Sequence, residues 1–126
     1  MNKKEIELFE KTEAQLRSVY DEMVIVSKKQ PDEVINDFKL NLINKIVEQC
    51  NNILKKDNKP FEDFNIFNSD LLPSNSDVVL ILSQYIGCME KLRSENIDNY
   101  GDWYWVINGE RSEIRTAPPK KISYNK

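Results

Sequence analysis

The chain has no histidine, and among its 126 residues this absence removes the most chemistry. Histidine is the commonest general base at neutral pH, the partner of Ser and Cys nucleophiles, and the usual transition-metal ligand. Glycine is scarce too: three residues cannot build a glycine-rich loop around a nucleotide phosphate. The two cysteines, Cys50 and Cys88, make no more than half a zinc site. Both fall in helical apolar patterns, which favours reduced, buried thiols, with a disulfide or a reactive thiol as the alternative. No apolar run exceeds five residues, as at Val78–Leu82, whereas a membrane span takes about 20. The opening Met-Asn-Lys-Lys-Glu-Ile-Glu has no apolar stretch behind its lysines and does not read as a secretory signal. The expectation is a cytoplasmic protein with no membrane segment, cofactor, metal site or catalytic residue.

What is present suits one folded domain, with 40% hydrophobic and 31% charged residues. A chain this long buries roughly two-thirds of its unfolded surface in a single core. The net charge of −3 disfavours broad nonspecific nucleic-acid binding.

Hydrophobic spacing predicts three helices. In the first, about Lys3–Lys28, Ile6, Phe9, Leu16, Val19, Tyr20, Met23 and Val26 recur at three- and four-residue steps. Thr12 and Glu13 interrupt that stripe, so looser first turns are expected. Pro31 ends this helix and, with Asp32 and Glu33, opens a second running to about Lys56. The second stripe (Ile35, Phe38, Leu42, Ile43, Ile46, Val47, Cys50, Ile53, Leu54) is wide enough for burial against two neighbours. Ser74-Asn-Ser-Asp77 matches a capping box and starts a third helix to about Asn96. Val78, Leu82, Tyr85, Met89 and Leu92 form its core face, and Gly87 within it marks a close helix contact.

Asn58–Ser76, between the second and third helices, carries Phe61, Phe64, Ile66, Phe67, Leu71 and Leu72 among acidic residues and asparagines. It reads as an ordered loop strapped across the bundle, with an exposed docking motif as the alternative.

Past Ile97–Gly101, read as a turn, the rhythm changes. Apolar residues flanking Asn108-Gly109 predict a β-hairpin over about 102–116, because a type I′ turn needs two positive φ angles. Pairing across that turn sets Trp103, Trp105, Ile107 and Ile114 on one face and Tyr104, Val106, Arg111 and Glu113 on the other. The tryptophan face should lie on the helices, since a lone ribbon is marginal. The indoles read either as the lid of the core or as a recognition surface. Residues 117–126, with two prolines followed by lysines, read as a basic, mobile tail.

The expected architecture is therefore mainly α: a three-helix antiparallel bundle, a long ordered loop before the third helix, and a C-terminal β-hairpin packed on the bundle, all within residues 1–116. The expected function is a non-enzymatic protein–protein interaction module, a small acidic adaptor, inhibitor or immunity-type protein. Its contact residues would be Tyr104, Arg111 and Arg115 on the outward ribbon, and Phe61 and Phe64 in the loop. The partner would be a protein with a basic patch, steered by the acidic surface; a homo-oligomer is the other option, because long amphipathic helices can pair with a second copy. Two rivals stand beside this reading. Arg111, Arg115, Lys120 and Lys121 with Tyr104 and Tyr124 could hold nucleic acid or a phosphate-bearing small ligand. An enzyme working through Glu62, Asp63, Asp70 and Asp77 would need those carboxylates to converge.

Overall fold

Asn2 starts the first helix with a reciprocal capping box: its side chain accepts from Glu5 N at 2.9 Å, while the Glu5 carboxylate accepts from Asn2 N at 3.0 Å. In the computed structural model, which describes residues 1–120, this helix is α1 (Lys3–Lys29). Its buried line runs Ile6, Phe9, Thr12, Leu16 and Met23. Thr12 does not loosen the first turns, contrary to expectation. It is buried and donates its hydroxyl to Gln49 Oε1 at 3.2 Å, so the stripe continues through a satisfied polar contact.

The second helix starts later than Pro31 suggests. Asn36 caps α2 (Asp37–Asn58) by accepting from Lys39 N at 2.8 Å. Residues 31–35 form a turn and a bridge instead of a helix, because their backbone is engaged elsewhere. Pro31 O and Glu33 O accept from Ser76 N and Asn75 N, and Ile35 N donates to Pro73 O, all within 3.0 Å. Val34 and Ser74 form an isolated bridge there. The buried line of α2 is Leu40, Ile43, Val47, Cys50 and Leu54. Phe38 and Leu42, expected in the core, are exposed, although α2 does pack against two neighbours, α1 and α3, as its stripe suggests. Lys55, at φ 60° and ψ −177°, breaks the helical path before its last turn.

From Lys59 the chain returns along α2. Asn51 donates to Asn65 O at 2.7 Å, and Asn44 both donates to Phe67 O and accepts from Phe67 N at 2.9 Å. Two asparagine side chains thus satisfy strap backbone that no ladder reaches. Phe67 is buried, and Phe64 meets its ring edge-on at 5.1 Å and that of Tyr85 at 6.3 Å. A short 3-10 turn (Ser69–Leu71) ends at Leu72, whose φ of 52° is left-handed. That conformation costs a leucine on the order of 1 kcal/mol.

The strap lets α2 and α3 (Asn75–Ser94) begin at the same end, with α1 running against both. The expected capping box is present: Ser74 Oγ accepts from Asp77 N at 3.1 Å, and Asp77 Oδ2 accepts from Ser74 N at 2.9 Å. Val78, Leu82, Tyr85 and Met89 are buried, and Arg93 continues their line. Arg93 pairs with Glu90, also buried. Glu90 accepts from Lys120 N at 2.8 Å through its other oxygen, and Arg17 approaches it at 3.7 Å. Gly87 marks no close contact: a methyl group there would meet nothing within 4 Å.

The C-terminal element is a three-stranded antiparallel sheet, not a two-stranded hairpin. Ile97–Gly101, expected as a turn, supplies an extra edge strand, β1 (Ile97–Tyr100), reversed at Gly101 with φ 76°. β2 (Asp102–Ile107) lies at the centre and turns through Asn108 (φ 52°) and Gly109 (φ 77°) into β3 (Glu110–Thr116). Pairing begins with Ile107 opposite Glu110 and Val106 opposite Arg111. A bulge then interrupts it, where Ser112 Oγ accepts from Ile114 N at 3.1 Å. Beyond the bulge Tyr104 faces Arg115, whereas an uninterrupted ladder would have placed Glu113 there.

Trp105 is fully buried, its ring edge-on to Phe9 at 5.0 Å. Ile97, Ile107 and Ile114 pack around the same core. Among the described residues no helix is long and apolar enough to cross a membrane.

Candidate recognition face of the sheet

A sheet packed on helices divides its side chains between two surfaces, and here the division is sharp. The inner surface is closed by the Trp105 indole, whose Nε1 donates to Glu10 Oε1 at 2.8 Å. Thr116 Oγ1 donates to the same oxygen at 2.8 Å, which ties the end of β3 to α1.

The outer surface carries aromatic rings and guanidinium groups. Arg111 lies with its Cζ 3.7 Å from the ring centroid of Tyr100 and 5.8 Å from that of Tyr104. Arg115 approaches Tyr104 at 5.9 Å and pairs with Asp102 at 3.4 Å. Tyr104 is therefore flanked by two guanidinium groups on the central strand. Each contact is worth about 0.5–1 kcal/mol at an exposed site, enough to orient side chains but not to hold the fold. Tyr100 is 68% exposed, so a large rigid surface faces solvent.

Of the residues expected at the site, the structure unites Tyr104, Arg111 and Arg115 on this face. Phe61 and Phe64 sit in the strap instead; Phe61 is exposed, while Phe64 is half-buried against Phe67 and Tyr85. Tyr100 was missed because its segment read as a turn. The cue was Gly101 between Tyr100 and Asp102, a one-residue reversal that can join two strands. Lys120 is tied by its backbone to Glu90, and Lys121 and Tyr124 lie outside the described residues.

Glu62, Asp63, Asp70 and Asp77 are all exposed, and Asp77 is engaged in the α3 cap, so the convergence that carboxylate chemistry needs is not found at these four. Among the described residues no group of three or more Cys, Asp or Glu side chains is placed to hold a metal. Cys50 and Cys88 are free thiols. Burial pushes Cys50 up to about 12, and Cys88 is raised as well, again mainly by burial, so both favour the un-ionised, unreactive form. Burial likewise lifts the Tyr85 phenol, which donates to Asn51 Oδ1, to about 12.

Comparison with protein-family models, with curated proteins and with solved structures finds no match.

Proposed function

We propose that this chain is a non-enzymatic protein–protein interaction module, a small acidic adaptor, inhibitor or immunity-type protein working in the cytoplasm. One observation carries the reading: exposed Tyr100, Arg111 and Arg115 gather around half-buried Tyr104 on one face of a sheet whose other face already closes the core. Tyrosine and arginine dominate binding hot spots because they give rigid contact area with polar handles. The partner is a protein, with a second copy of this chain as the alternative occupant. Charge on the outer face is mixed, so ring burial supplies affinity there and net charge governs encounter.

The test is affinity purification from the native host with the natural chain and a Tyr104→Ala/Arg111→Ala variant, read by mass spectrometry. A protein captured by the first and lost by the second supports the proposal. Identical capture profiles would refute it.

A second reading, binding of nucleic acid or a phosphate-bearing ligand, draws on the two guanidinium groups beside Tyr104. It is the weaker one, because Arg115 is paired with Asp102 and Arg111 is stacked on Tyr100. It requires oligonucleotide or nucleotide binding at low salt that weakens steeply as salt rises.

A further inference from the structure

The backbone bonds joining 31–35 to 73–76 bring the starts of α2 and α3 and the 3-10 turn to one end of the bundle. That end exposes Val34 (45%), Phe38 (75%), Leu71 (79%) and Leu72 (64%). A single exposed leucine needs no explanation, but these four arise from two hydrogen-bonded segments. Leu72 is the informative one. It occupies a left-handed position that Gly or Asn would fill with less strain, and it recovers little burial in return. The fold itself does not call for leucine there.

Within the two segments the charges have one sign, while Lys28, Lys29 and Lys39 flank the first of them. Asp32, Glu33, Asp37, Asp70 and Asp77 are all exposed, and neither 31–38 nor 68–77 contains a lysine or arginine. Asp37 and Asp77 favour their own helix starts. Asp32 and Glu33 precede the helix and have no such role.

We infer that this end docks a basic amphipathic segment of a partner protein, its apolar side chains covering Phe38, Leu71 and Leu72 and its lysines or arginines meeting the carboxylates. The five carboxylates outnumber the three flanking lysines, so net like-charge repulsion disfavours both a second copy, which would set this end against itself, and an anionic lipid surface. The inference rests on the interaction-module reading for the class of partner, but it uses none of the sheet-face residues.

The probe is a fluorescently labelled synthetic peptide of about 18 residues, five helical turns with leucines at three- and four-residue spacing and lysines elsewhere. A control peptide carries glutamate at every lysine. Titrated into the full chain and followed by anisotropy, the lysine peptide binds, and binding weakens as salt rises. Phe38→Ser with Leu72→Asn lowers its affinity at least about tenfold, or 1.4 kcal/mol. Leu72→Asn alone keeps or raises the thermal midpoint, so lost binding is not lost folding. Arg111→Ala leaves peptide binding unchanged, which separates this surface from the sheet face. No binding, equal binding of the glutamate peptide, or indifference to the double variant overturns the inference. So does a dimer in light scattering that the double variant dissociates.

Discussion

Trp105, 95 residues along the chain from Glu10, donates its indole N–H to the Glu10 carboxylate at 2.8 Å. The same oxygen accepts from Thr116, so one side chain of α1 holds both the central strand and the end of β3. Removing it leaves a buried indole donor without a partner. Glu10→Ala should destabilise the chain by about 1–3 kcal/mol, and Glu10→Gln by less because an acceptor oxygen remains. Urea unfolding followed by tryptophan fluorescence measures both.

The buried Glu90–Arg93 pair permits a sharper test of what ions do in this core. Arg93→Met leaves a buried carboxylate whose remaining cation, Arg17, stands 3.7 Å away, and should cost about 3 kcal/mol. Replacing both partners, Glu90→Leu with Arg93→Met, removes the stranded charge and should recover much of that loss. A double-mutant cycle in urea gives the coupling; additive losses would contradict it.

Several of these features were legible in the chain alone and others were not, for a consistent reason. The α1 stripe, the Ser74–Asp77 box and the Asn108-Gly109 turn are local, each decided by residues within a few positions of one another. The start of α2 is not local. Pro31 fits a first helical turn, but the carbonyls of Pro31 and Glu33 are taken by amides more than forty residues away, and Asn36 caps instead. β1 depends on pairing with β2, which turn chemistry at Gly101 permits but does not announce. At the sheet face, strand alternation set Tyr104 and Arg111 outward; the bulge that brings Arg115 opposite Tyr104 had no visible marker. Arg93, by contrast, could have been found: it lies four residues beyond Met89 on an otherwise apolar line.

Gly87 offers a direct check on one such correction. Because a methyl group there meets nothing within 4 Å, Gly87→Ala should stabilise α3 by about 0.5–1 kcal/mol through helix propensity. A rise in thermal midpoint is the expected result; a fall would mean that α3 needs the space the glycine leaves after all.

Alkaline pH should weaken the fold in a defined window. Cys50 and Tyr85 titrate near 12 when folded, against ordinary values of 9.0 and 10.0. Raised pKa values mean that stability is complete below about pH 9 and is lost progressively up to about pH 12, as the unfolded chain ionises first. Cys50→Ala would remove the thiol share of that slope. Urea midpoints from pH 7 to pH 11 follow both.

The division of the sheet into a sealing face and a spare face is tested most directly by comparing unfolding free energies of two variants. Trp105→Ala should cost about 3–5 kcal/mol, as expected for emptying a fully buried aromatic site. Tyr100→Ala with Arg111→Ala should cost about 1 kcal/mol or less, since both side chains face solvent and touch mainly each other. Equal losses in the two variants would mean that the outer face belongs to the fold and is not free for a partner.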